Sequence, residues 1–162
     1  MFQAVSERIG RWLAQYLTEP LSGYREFALV NIEALQKTLQ PGDILLVEGN
    51  SRISTAIKYL TQSTWSHACI YVGDDAEKPL VEADLIEGII RVPLSKYTSR
   101  NLRICRPVNL DDEDREKIKR FVLERLGHTY DLQNIIDLMR YLIPTPPVPS
   151  RFRRQMIAFG SG

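Results

Sequence analysis

Four residues of this chain, His67, Cys69, Glu82 and Asp84, have the types and spacing for acid–base or nucleophilic chemistry. His67 opens the apolar run His67-Ala68-Cys69-Ile70-Tyr71-Val72, directly after the polar stretch Thr61 to Ser66. It therefore falls at the rim of a predicted strand, where a cleft can form. Alternation along a strand puts His67, Cys69 and Tyr71 on one face. The next predicted strand carries Glu82 and Asp84, two apart and so also sharing a face. If the strands pair as a hairpin turning at Gly73-Asp74-Asp75, a turn centred between Asp74 and Asp75 sets His67 opposite Glu82. A centre one residue later sets it opposite Asp84. Either register brings a carboxylate beside the imidazole, about 4.5–5.5 Å away at Cβ. Such a carboxylate accepts the proton of one ring nitrogen and frees the other as a base. That is the histidine–acid half of a nucleophilic triad, and the plainer alternative is an acid that satisfies a buried histidine.

The thiol half is less evident. Cys69 shares the face of His67 but lies two residues along the same strand, where side chains stand about 6.5–7 Å apart. It reads either as a nucleophile or as a small core residue. Cys105, in Arg103-Ile104-Cys105-Arg106, falls within a predicted strand rather than at a helix N-terminus, the setting that lowers a thiol pKa. Two cysteines and two histidines, His67 and His128, in distant segments lack the spacing of a structural zinc site. Nucleophilic chemistry of this kind needs only a thiolate, an imidazole and oxyanion donors, so no metal and no organic cofactor is implied.

The elements that must position these residues follow from periodicity. Phe2, Val5, Ile9, Trp12, Leu13, Tyr16 and Leu17 have helical spacing, and Pro20 and Gly23 end that helix. It is expected to pack on the domain and bury Trp12; the alternative is a helix lying in a membrane interface. A short helix over Ile32–Leu39 precedes Pro41-Gly42, and the apolar run Ile44–Val47 after it reads as a buried strand. Ser51 is a natural N-cap for a helix over Arg52–Leu60. Strands follow at His67–Val72, Leu80–Ala83, Ile89–Val92 and Leu102–Cys105. Asp111 to Asp114 then feed a helix N-terminus, with Ile118, Phe121, Val122 and Leu126 as its apolar stripe and Gly127 past its end. Asp131–Ile143 is a last helical pattern before a Pro-rich, Arg-containing tail. The fold class is α+β: an antiparallel sheet of about five strands flanked by N- and C-terminal helices. The expected organisation is a helical segment at 1–40, a core at 41–143 and a tail at 144–162.

Composition excludes several function classes. Its 162 residues fit one domain of the usual size of about 150 residues. At 44% hydrophobic and 25% charged the chain is neither disordered nor fibrous. Twenty-one basic against 20 acidic residues leave +1, no drive toward a nucleic acid backbone, so no nucleic acid partner is expected. The start carries neither a basic n-region nor an unbroken apolar h-region. Free thiols and a reducing, cytoplasmic location are the expectation, with peripheral membrane contact through the first helix as the alternative. Oligomeric state is not legible.

Pro41-Gly42-Asp43-Ile44-Leu45-Leu46, Ser54-x-x-Ile57, Ser66-His67-Ala68-Cys69-Ile70-Tyr71-Val72-Gly73, Val81-Glu82-Ala83 and Gly127-His128-Thr129-Tyr130-Asp131, in this order, resemble circularly permuted NlpC/P60-like proteins. These are papain-like thiol hydrolases that include bacterial YiiX-type proteins and are related to the lecithin:retinol acyltransferase group. The resemblance covers residues 41 to 131. It implies an antiparallel sheet with a catalytic histidine at His67 and its polar partner at Glu82. It implies a thiol hydrolase or acyltransferase acting on an amide or ester of a small-molecule, peptide or lipid-like substrate. It also places the nucleophilic cysteine after the histidine, at the head of a helix, whereas no cysteine follows Cys105 here. The expected nucleophile therefore lies beyond residue 162. The alternative is a non-catalytic binding module that keeps the fold. With the cysteine-bearing helix absent, His67, Cys69 and Glu82 or Asp84 should line an open groove.

Overall fold

The apolar run after Pro41-Gly42 forms β1 (Ile44–Val47), and four further strands join it in one antiparallel sheet: β2 (His67–Tyr71), β3 (Leu80–Asp84), β4 (Gly88–Val92) and β5 (Leu102–Cys105). This computed structural model describes Trp12, residues 15–20 and residues 30–129. The predicted helix at Asp131–Ile143, the Pro-rich stretch and the Arg-containing end lie outside the described residues. The strand order is β4-β3-β2-β1-β5, which puts β2, the strand of His67, at the centre of the sheet. Each strand is four or five residues long because Gly, Pro and Asp punctuate the apolar runs.

One face of the sheet carries the core. Leu45, Val47, Cys69, Tyr71, Leu80 and Val92 are buried there with Leu35 and Leu39 from the segment of α1 (Ile32–Thr38). Asn31 caps α1 by accepting the Ala34 N–H at 3.0 Å. A 3₁₀ turn (Leu94–Tyr97) follows β4 and buries Leu94 and Tyr97 in the same cluster. This turn lies outside the predicted elements. The helix α2 (Arg52–Thr61) starts at Ser51 as expected, whose hydroxyl accepts the Ser54 N–H at 3.2 Å. A Cβ at Gly49 would fall 2.2 Å from Ser54 Oγ and 2.8 Å from Ser66 Oγ, so the β1–α2 connection closes only around a glycine.

Asp43 is fully buried at the start of β1. Arg106, just past β5, donates to both of its carboxylate oxygens at 2.9 and 2.8 Å, and the Gln40 N–H adds a third bond at 2.8 Å. Burial pushes the Asp43 carboxyl up, and these bonds more than reverse it. Arg106 also donates to the Thr38 carbonyl at 2.7 Å, tying the end of α1 to both strands.

The helix α3 (Asp112–Leu123) is capped by Asp111 as expected. Its expected apolar stripe is not core. No residue of α3 is buried, and Phe121 is exposed, with the Arg125 guanidinium 3.3 Å from its ring centroid. Polar contacts attach this element instead. Arg115 donates to the Pro41 carbonyl at 2.6 Å, and beyond α3 the Gly127 N–H donates to Ile89 O while the Ile89 N–H donates to His128 O. That exchange runs along the outer side of β4 and brings His128 O within 2.2 Å of where a Cβ on Gly88 would stand.

Among the first residues, the expectation for Trp12 fails. Its side chain is 64% exposed and stacks on Tyr16 with ring centroids 5.9 Å apart. The contact with the domain is made one turn later. Leu17 is 3% exposed, Arg52 lies over the Tyr16 ring at 4.2 Å, and Arg52 pairs with Glu19. Helical periodicity marks an apolar face without saying which of its residues the domain covers. Leu17→Ala should accordingly cost about 2–3 kcal/mol in urea denaturation and Trp12→Ala less than about 1 kcal/mol. The reverse ranking would show that Trp12 is the anchor.

Candidate active site

The site is assembled by two neighbouring strands, β2 and β3, and the 3₁₀ turn that follows β4. His67 begins β2 opposite Val47, Cys69 lies two residues on, and the β2–β3 ladder pairs Cys69 with Glu82. The hairpin register is thus the later of the two expected centres, because the connection runs from Val72 to Pro79 rather than as a two-residue turn. In this register Glu82 stands across from Cys69. Its longer side chain still reaches His67 diagonally, and Nε2 lies 3.2 Å from Glu82 Oε2.

Asp84, the alternative partner, is used elsewhere. Its Oδ1 accepts the Ile86 and Glu87 N–H groups at 2.7 and 2.9 Å, the side-chain turn an Asp makes at a tight β3–β4 connection. Asp84 makes no hydrogen bond to His67 among the described residues.

Glu82 is 4% exposed, and its carboxylate is surrounded by donors. Oε2 takes the His67 ring N–H, the Cys69 thiol at 3.5 Å and the Tyr97 hydroxyl; Oε1 takes the Lys96 ammonium. Burial alone pushes this carboxyl up. The bonds from His67, Lys96 and Tyr97 outweigh burial and bring it down to about 2. An ionised carboxylate can only accept, so the nitrogen facing it, Nε2, carries the proton and Nδ1 is left as the basic nitrogen. Nδ1 makes no hydrogen bond among the described residues. The His67 side chain keeps 30% exposure, so the imidazole, like the Lys96 ammonium, meets solvent.

Lys96 and Tyr97 were not legible in the sequence. They lie 14 and 15 residues from Glu82, in a four-residue turn behind Pro93 that has no periodic signature. Their presence also corrects the expected groove. Cys69 is 2% exposed and Glu82 is buried beneath the Leu94–Tyr97 turn, which closes the face expected to stand open.

The same burial argues against Cys69 as the nucleophile. Removal from water, with the Glu82 charge beside it, pushes the thiol up to about 12, the Tyr97 hydrogen bond offsetting only part of this. Cys105 pairs with Ile44, whose face is opposite to that of Leu45, Cys69 and His67. Both thiols are free.

His67, Cys69 and Glu82 each offer one ligand atom, all within 4.8 Å of one another, the spacing of a small metal cluster. Two features work against a cation there. The Lys96 ammonium already neutralises Glu82, and the thiol would have to ionise against its raised pKa.

Two measurements test this geometry. In the folded chain Cys69 should alkylate with iodoacetamide at pH 8 at least about 100-fold more slowly than Cys105, the two becoming equal in denaturant. Equal rates in the folded chain would contradict the buried thiol. Because the Glu82 carboxyl sits below its ordinary value of 4.5, the stability it confers is complete above about 4.5 and is lost as pH falls toward about 2. Glu82→Gln should flatten that part of the acid-unfolding curve, and an unchanged curve would refute the assignment.

A family model described as permuted papain-like amidase enzyme, YaeF/YiiX, C92 family, matches residues 38–141. The matched span contains all five strands, the 3₁₀ turn and every residue that touches Glu82. No curated protein matches the chain. An antiparallel sheet that presents a carboxylate-held histidine at its rim is consistent with that match, and the chain belongs to the permuted papain-like amidases of the YaeF/YiiX, C92 family.

Proposed function

We propose that this chain supplies the imidazole and its orienting carboxylate to a thiol hydrolase or acyltransferase that acts on an amide or ester. The observation that carries this reading is the His67–Glu82 pair, which presents Nδ1 at the sheet rim with the proton fixed on Nε2. In this reaction Nδ1 takes the thiol proton as sulfur bonds to the carbonyl carbon. It then returns that proton to the leaving nitrogen or oxygen as the C–N or C–O bond breaks. Water or an acceptor hydroxyl next removes the acyl group from sulfur. Glu82 orients the ring throughout and does not exchange a proton.

The nucleophile in this reading is a cysteine after residue 162, at the head of an amphipathic helix, where backbone N–H groups also stabilise the oxyanion. Its support is that Cys69 is buried with a raised pKa and Cys105 points to the other face. The same two facts favour a second reading, a binding module, for residues 1–162 alone. Peptide and lipid-like acyl groups are both compatible with the chemistry. The exposed Trp12–Tyr16 stack favours the lipid-like class and a membrane-peripheral location. No described helix is long and apolar enough to cross a membrane.

The test is hydrolysis of amide and ester substrates by the chain extended through the reading frame past residue 162. Iodoacetamide should abolish turnover, and His67→Ala should lower kcat/KM by about 10²–10⁴-fold, the range of a lost general acid–base group. Turnover that survives both treatments would overturn the proposal. A frame without a further cysteine, together with no turnover, would put the binding module in its place.

A further inference from the structure

Glu82 meets its donors asymmetrically. Among the described residues, His67, Cys69 and Tyr97 crowd Oε2, while Lys96 takes Oε1. The Glu82 side chain is 1% exposed and that of Lys96 39%, so a buried negative charge is answered by a positive one reaching in from solvent. The reach is fixed by the turn that carries it. In a 3₁₀ turn residues three apart eclipse, so burying Leu94 and Tyr97 together anchors Leu94–Tyr97 beside β3 and leaves Lys96 next to the carboxylate. The Lys96 ammonium also lies 5.7 Å from the Tyr97 ring centroid, an attraction that holds it over the same spot.

We propose that Lys96 is a positioning residue that balances the charge beside His67: it holds Oε1, turns Oε2 toward the imidazole and offsets the Glu82 charge. This rests on the reading of His67 as the acid–base group of the reaction. A lone buried carboxylate 3.2 Å from an imidazole favours the imidazolium, and a histidine held as a cation has no lone pair for an incoming thiol proton. With Lys96 in place the carboxylate keeps its orienting bond to Nε2–H, and the charge that would protonate Nδ1 is balanced. Among the described residues the titratable groups gathered around His67 are Glu82 from β3, Cys69 from its own strand, and Lys96 and Tyr97 from the turn. From β1 it meets Val47. The Cys69 thiol and the Tyr97 hydroxyl are both pushed up by burial and stay neutral, so Lys96 is the group in this set that can offset Glu82.

The test follows the His67 ring by NMR across pH in the 162-residue chain, where His128 is the one other histidine to be told apart. Lys96→Met keeps the length of the stem and removes the charge. It should raise the His67 midpoint by about one pH unit, the low end of the effect of an unbalanced carboxylate. Lys96→Arg should leave the midpoint within about 0.3 unit, since the charge is kept. The double variant Glu82→Gln/Lys96→Met should bring it back toward wild type, because both charges leave together. Lys96→Gln, with melting curves for every variant, serves if Lys96→Met fails to fold. An unmoved or lowered midpoint in the folded Lys96→Met or Lys96→Gln chain would overturn the proposal. So would an equal shift in Lys96→Arg, which would mark an effect of packing alone. The readout is the imidazole itself, independent of turnover. Catalysis indifferent to His67→Ala would therefore sink the proposed function and leave this electrostatic result standing, and the converse also holds.

Discussion

A carboxylate taken out of water inside a protein has to be surrounded by donors, since leaving its charge unanswered costs more than most single packing defects. Glu82 imposes that requirement on the middle of this sheet. Its donors come from β2 and from the turn after β4, so no single hairpin can satisfy it. The β2–β3 register, the path of the chain after Pro93 and the burial of Tyr97 are all conditions of one solvation shell. Two strands and the turn must close together, and the closing event leaves an imidazole at the rim with its tautomer already chosen.

The second buried acid makes the comparison instructive. Asp43 is as deeply placed as Glu82, and it too is bonded to a cation that reaches in from the surface, the guanidinium of Arg106. Its other partner, however, is the backbone N–H of Gln40, and its ring of contacts ends in structure. Around Glu82 one donor is an imidazole whose second nitrogen is free of protein partners among the described residues and which touches solvent. That difference separates an acid that ties α1, β1 and β5 together from one that holds an imidazole at the rim of the sheet.

The strands were legible because each is a short, largely apolar run set between turn-forming residues, a local signal. The register was narrowed to two choices by the parity of the strand. What settled it was a connection longer than a tight turn. The approach of Glu82 to His67 was foreseeable from shared faces, although the pairing is diagonal and Asp84 serves its own turn instead. Lys96 and Tyr97 were not foreseeable, because a single 3₁₀ turn has no period to detect and its contacts cross 14 and 15 residues. Trp12 and the α3 stripe show the complementary limit. Periodicity identifies an apolar face, but whether anything covers it depends on what lies opposite.

The exchange of Ile89 with residues 127 and 128 has a further consequence. A strand at the border of a sheet offers unpaired N–H and C=O groups that invite another chain to join, the usual route to ordered aggregates. At β4 the offer is withdrawn at Ile89, where both backbone groups are already engaged by Gly127 and His128. The tight approach requires Gly88, because any side chain there would meet the His128 carbonyl. Gly88 thereby allows this edge to be covered as well as serving as a turn residue. A substitution that pushed residues 127 and 128 away would uncover a ready template, and the loss would register first as self-association at high protein concentration, with the His67–Glu82 contact intact.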